Sequence, residues 1–143
     1  MRPDAVLLVD DEIEFVSTLA ERMRARGLDV DFVTSGVEAL HLAKQKTFDA
    51  VVLDIAMPGM DGIETLKYLL EDQPDLQVVL LSGQATVKTA VEASKLGAVD
   101  VLEKPADVET LVGLIRKARA ARLAKAEERT QEEIEDILRT KGW

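Results

Sequence analysis

Four groups of side chains in this sequence share one placement. Asp10-Asp11, with Glu12 behind them, a lone Asp54, Ser82-Gly83 and Lys104-Pro105 each stand just after a short, largely apolar run. Three neighbouring carboxylates repel one another, so in an apolar setting they require a counter-charge. Oxygen donors unaccompanied by histidine or cysteine suit a hard cation such as Mg2+. That ion keeps several waters and commonly bridges carboxylates to a phosphate. Lys104 can then neutralise a phosphate oxygen while the Ser82 hydroxyl hydrogen-bonds another. The absence of cysteine and the single histidine, His41, remove disulfides, thiolate zinc, iron–sulfur clusters, thiol nucleophiles and polyhistidine metal sites.

The elements that must position these groups are legible as alternating periods. Ala5–Val9 is aliphatic without polar alternation, the pattern of a strand buried on both faces of a parallel sheet. Leu28–Val33 alternates, with Asp29 and Asp31 on one side, and so belongs nearer an edge. Ala50–Leu53, Val78–Leu81 and Val99–Leu102 complete five strands. Helical spacing fills the intervals: Phe15, Val16, Leu19 and Met23 before Gly27, then Val37, Leu40 and Ala43 after the capping box Ser35-x-x-Glu38. Ile63, Leu66, Leu69 and Leu70 form a third helix ending near Pro74, and Val87, Ala90, Val91 and Ser94 a fourth closed by Gly97. Asp107 opens a fifth. Five strand–helix alternations predict an α/β doubly wound fold, a five-stranded parallel sheet with helices on both faces. Such sheets carry ligand sites beyond the carboxyl ends of their strands, where strand order reverses.

Read singly, Asp10-Asp11 is also a helix cap, Asp54 a loop acid and Lys104 a surface lysine. Together at four strand ends, with Asp54 set in Leu53-Asp-Ile-Ala-Met-Pro-Gly-Met-Asp-Gly62 and Lys104 in Gly97-Ala-Val-Asp-Val-Leu-Glu-Lys-Pro105, they resemble the receiver domain of two-component response regulators. The resemblance covers roughly Val6 to Arg119 and implies the flavodoxin-like strand order 2-1-3-4-5. It implies a domain over 1–119 followed by a helical C-terminal extension over 120–143. Asp54 then corresponds to the phosphoacceptor, taking a phosphoryl group from a sensor histidine kinase to form an acyl phosphate. Asp10, Asp11, Asp54 and the backbone carbonyl of Ala56 correspond to the Mg2+ ligands, with Asp11 direct and Asp10 acting largely through water. Lys104 matches the phosphate-binding lysine and Ser82 the hydroxyl that moves on activation. The family's lysine is followed by a proline across a cis peptide, here Lys104-Pro105.

Two features depart from the family. Its usual Tyr or Phe three residues before the lysine is Val101, so switching rests more on Ser82, its loop and the fourth helix. The positions two beyond Asp54 and Ser82, which tune phosphoryl lifetime in the family, are Ala56 and Gln84. Ala56 also argues against a Mg2+-dependent phosphohydrolase, which places a second acid there. The remaining alternatives are a flavin carrier, disfavoured by five aromatics and no Ser/Thr-rich phosphate loop, and a receiver-like scaffold that is not phosphorylated.

With 143 residues, 47% hydrophobic and 31% charged, the chain has room for one domain and a short appendage. Its net charge of −9 disfavours direct contact with nucleic acid. The apolar runs are too short to span a bilayer, and Asp4 and Asp10 interrupt any leader-like stretch, so a cytoplasmic protein is expected. The expected partners are a sensor histidine kinase and a downstream protein docking on the fourth helix, fifth strand and fifth helix. Helix continues past Ala118, and Ile134, Ile137, Leu138 and Trp143 form a small apolar cluster suited to packing on the domain, a partner helix or a homodimer. His41 is expected to be an ordinary surface residue, and Asp61 and Asp100 structural.

Overall fold

A computed structural model describes residues 3–83 and 87–140. Strands β1 (Ala5–Val9), β2 (Asp29–Val33), β3 (Ala50–Asp54), β4 (Gln77–Ser82) and β5 (Asp100–Glu103) alternate with helices α1 (Ile13–Arg24), α2 (Gly36–Gln45), α3 (Gly62–Asp72), α4 (Val87–Leu96) and α5 (Val108–Thr140). All strands are parallel, in the order β2-β1-β3-β4-β5. The doubly wound, flavodoxin-like order read from the sequence is therefore the one adopted, and the alternating strand β2 lies at the edge.

The pleat of β1 divides its residues between two cores. Val6 and Leu8 join Val16, Leu19, Ala20 and Met23 of α1 and Leu111, Val112, Ile115 and Ala118 of α5. Ala5, Leu7 and Val9 face Ala39 and Ala43 of α2, Leu66 and Leu69 of α3 and Ala93 of α4. Burial on both faces is why β1, β3 and β4 carry no polar alternation.

The caps follow the sequence signals. Ser35 accepts a hydrogen bond from the Glu38 N–H and Asp61 one from the Glu64 N–H, satisfying free amides in the first turns of α2 and α3. Gly27, at φ +88°, ends α1, and the Leu28 N–H returns to the Met23 carbonyl. Leu28 is buried there but outside the ladder, so β2 starts one residue later than its apolar pattern suggests. β5 is likewise displaced by one residue, from the expected Val99–Leu102 to Asp100–Glu103, because Val79 pairs with Asp100.

Helix α5 runs without interruption across residue 119. From 120 onward every described residue is exposed except Arg122, and Leu123, Ile134, Ile137 and Leu138 are about half exposed. Arginines anchor it at the amino ends of the strands. Arg119 pairs with Asp4 at 3.3 Å, Arg122 donates to the Phe48 carbonyl at 2.5 Å beside Asp49, and Arg129 pairs with Asp75. Trp143 lies outside the described residues. No helix among the described residues is long and apolar enough to cross a membrane.

Candidate functional site

The carboxyl ends of β1, β3, β4 and β5 meet in one place. Asp54 is the last residue of β3 and still within the ladder, paired with Leu81. Ser82 is the last of β4, and its carbonyl accepts the Lys104 N–H at 2.8 Å, which sets the lysine just beyond β5. Asp10 follows β1, and its N–H donates to the Val33 carbonyl. Asp10, Asp54 and Ser82 are all buried, at 3%, 4% and 6% exposure, which excludes a merely solvated acid at position 54.

The turn after β3 needs glycine. A Cβ on Gly62 would stand 2.3 Å from the Asp54 carbonyl oxygen and 2.6 Å from the Ile55 Cα, so α3 starts directly against the segment carrying Asp54. The Gly62 N–H donates to the Ile55 carbonyl at 2.9 Å, closing that turn. The Lys104-Pro105 peptide is cis.

Electrostatically the site is an acid cluster around one cation. The Lys104 ammonium lies 2.7 Å from Asp10 Oδ2, 3.0 Å from Glu12 Oε1 and 3.6 Å from Asp54 Oδ1, and sits 4.6 Å from the centre of the Phe15 ring. Burial works to lower the lysine, but the contacts with Asp10 and Glu12 and the charge of Asp54 outweigh it and leave it above its ordinary value. For Asp54 burial dominates in the opposite sense. Together with the Asp10 charge it lifts the carboxyl to about 6, against the pull of Lys104 and of the Ala56 amide.

The donor set fits a hard cation. Carboxylate oxygens of Asp10, Glu12 and Asp54 lie within 4.8 Å of one another, with oxygen the only donor type. Asp10 Oδ2 is buried and, among the described residues, its one polar contact is the charge contact with Lys104, which leaves an acceptor open to a further ligand. Asp11 is exposed and stands outside this group, with Glu12 in its stead, yet its charge is felt at Asp54. Ala56 is exposed beside the site and contributes its N–H to Asp54.

Residues 6–116 match the family described as the response regulator receiver domain. The chain belongs to that family. Against the transcriptional regulatory protein ZraR of Escherichia coli K12 this receiver is 39% identical over 115 residues, covering 80% of the chain and 26% of ZraR. It thus spans about a quarter of the curated relatives it matches. A putative response regulator, NtrX-like, from Rickettsia bellii is 36% identical over 115 residues, 79% of this chain and 24% of its own. Among solved structures, a Burkholderia pseudomallei response regulator with a phosphorylated aspartic acid, calcium ion and citrate is 30% identical with TM-score 0.75, covering 97% of this chain and 86% of that one. The beryllofluoride-activated NtrC4 receiver domain dimer is 36% identical with TM-score 0.78, over 82% and 98% of the two chains.

Of the residues singled out in the sequence, Asp10, Asp54, Ser82 and Lys104 converge, while Asp11 and Ala56 border them. Val101 lies on β5 packed against the α2–α4 core, beside a cavity of about 250 Å³ lined by Ala90, Ser94 and Ala98. Gln84 lies outside the described residues. His41 is exposed, with its ring 3.1 Å from Gln45. Sequence reasoning gave Glu12 and Phe15 no role at Lys104. Their signal was adjacency to Asp10-Asp11 and a spacing of three, which puts both on one side of the first turn of α1.

Proposed function

We propose that the chain is a phosphorylation switch in which Asp54 takes a phosphoryl group from the phosphohistidine of a sensor histidine kinase. The observation that carries this reading is a buried carboxylate at the end of β3, enclosed by Asp10, Lys104 and Ser82. In the transfer one Asp54 oxygen attacks phosphorus, the P–N bond to the imidazole breaks, and the histidine nitrogen keeps the electron pair. Such a transfer needs position and charge stabilisation more than covalent assistance.

Asp10, Asp11, Asp54 and the Ala56 carbonyl would hold Mg2+, which supplies charge neutralisation for the phosphoryl oxygens when bound. Lys104 offers its ammonium to one phosphoryl oxygen and Ser82 its hydroxyl to another. The Ala56 side chain has no acid with which to activate water, which speaks against a phosphohydrolase.

The output surface is α4, β5 and the start of α5. Val101 has no ring to sweep inward, so the change at Ser82 passes to the following loop and α4, with the cavity beside Val101 giving room for that movement. A downstream protein, or a second copy of the chain, docks there. The segment from 120 onward acts as an appended arm.

Incubation with Mg2+ and a small-molecule phosphodonor, read by intact mass, tests the reading. One added phosphoryl group that requires Mg2+, decays on standing and is missing from Asp54→Asn is expected. No adduct, or one that persists in Asp54→Asn, overturns it.

A further inference from the structure

Glu12 occupies the N-cap position of α1, where a carboxylate normally accepts from the first free N–H groups. It makes no such hydrogen bond. Its side chain instead reaches Lys104, 92 residues away in sequence, with Oε1 at 3.0 Å from the ammonium. The backbone presets this reach: the Glu12 N–H donates to Asp10 Oδ1 at 2.9 Å, so the turn that orients Asp10 also orients Glu12. Asp10 and Glu12 hold the ammonium at 2.7 and 3.0 Å, whereas Asp54 is 3.6 Å away. Phe15, also on the α1 side, lies under the same ammonium. Lys104 is thus drawn toward α1 and away from the carboxylate that would carry a phosphoryl group.

We propose that Glu12 is a positioning residue that parks Lys104 and competes with a phosphoryl group on Asp54 for its ammonium. This rests on the reading of Asp54 as phosphoacceptor. The two ends of the pair differ in exposure, 65% for the Glu12 side chain and 13% for that of Lys104. An ion pair with one partner in water is weak and readily exchanged. Asp10, buried and otherwise unsatisfied, cannot release the lysine at so small a cost. Glu12 is therefore the partner that Lys104 gives up when a more highly charged group arrives, and its presence weakens the activated state relative to a chain without it.

Beryllofluoride, a phosphoryl mimic, titrated with Mg2+ into the full chain and followed by NMR tests this. Glu12→Gln is expected to bind it about two- to five-fold tighter, the range given by an exposed ion pair. Glu12→Asp, one methylene short of Lys104, shifts in the same direction. The Lys104 Nζ resonance of the unliganded protein moves in Glu12→Gln, and affinity for Mg2+ alone, which loses one neighbouring charge, falls by less than tenfold. Glu14→Gln, which removes a nearby charge outside the site, leaves beryllofluoride affinity unchanged; an equal gain there overturns the competition. Unchanged or weaker binding by Glu12→Gln also overturns it. So does a tenfold loss of Mg2+ affinity, which would make Glu12 a cation ligand. If the wild type fails to bind at all, the Asp54 reading falls as well, whereas wild-type binding lost in Asp54→Asn keeps the two failures separate.

Discussion

At Asp54 burial and the charge of Asp10 push the carboxyl from an ordinary 3.8 to about 6, while Lys104 and the Ala56 amide pull it back. The sign of the stability effect follows from the protons bound. Between pH 3.8 and 6 the folded chain keeps a proton that the unfolded chain has lost, so this carboxylate makes folding less favourable as pH rises through that window. Above 6 its cost is present in full. Asp54→Asn removes the charge, so in EDTA the variant is expected to exceed the wild type by on the order of 1–3 kcal/mol at pH 7.5 and to converge with it toward pH 4. Urea unfolding at the two pH values measures this; a gain of equal size at both would show that charge is not its source. The residue types that make the site were readable from the sequence, since acids and a lysine after apolar runs have few structural uses in common. Their protonation was not, because it depends on burial and on neighbours contributed by two other segments.

Among the elements, α5 departs furthest from a self-contained sequence pattern. Its stripe of Val108, Leu111, Val112 and Ile115 packs as the spacing requires, but beyond Ala118 no apolar core face holds it. Arginines take over. The Arg122 guanidinium, 3.8 Å from the buried Asp49 and hydrogen-bonded to the Phe48 carbonyl, touches the segment whose Asp49 carboxylate also receives the Ala5 N–H at 2.8 Å. The beginnings of β1 and β3 and the middle of α5 thus share one polar cluster. Arg122→Ala leaves Asp49 with less compensation for its burial, and a loss of about 1–3 kcal/mol is expected. Hydrogen exchange over 119–131 should accelerate more than over 108–115; equal protection in variant and wild type would mean that the arginine does not anchor the helix. The Ala-, Arg- and Glu-rich sequence announced a helix, whereas its direction across the strand ends depended on acids far earlier in the chain, Asp49 for Arg122 and, 115 positions away, Asp4 for Arg119.

For the molecule as a whole, a net charge of −9 and an acid cluster at one sheet edge both favour a divalent cation. Mg2+ bound only by the folded chain should add ~1.4 kcal/mol at ten times its dissociation constant, on the order of 3–8 °C in melting temperature. EDTA should reverse the shift, and Asp54→Asn should reduce it; a shift of equal size in that variant would place the cation elsewhere. The alternation of aliphatic runs and amphipathic helices determined the parallel sheet, because the two periods demand burial on both strand faces and on one helix stripe. The strand-end motifs, through their family resemblance, determined which acids and which lysine to watch. Tertiary structure alone decided that Glu12 and not Asp11 joins Asp10 and Asp54 within 4.8 Å, that Phe15 lies at the ammonium, and that α5 is pinned by Arg122. Those outcomes depend on side-chain direction at a turn and on contacts between segments far apart in sequence, where sub-turn differences in geometry, which local periodicity does not encode, select one carboxylate over its neighbour.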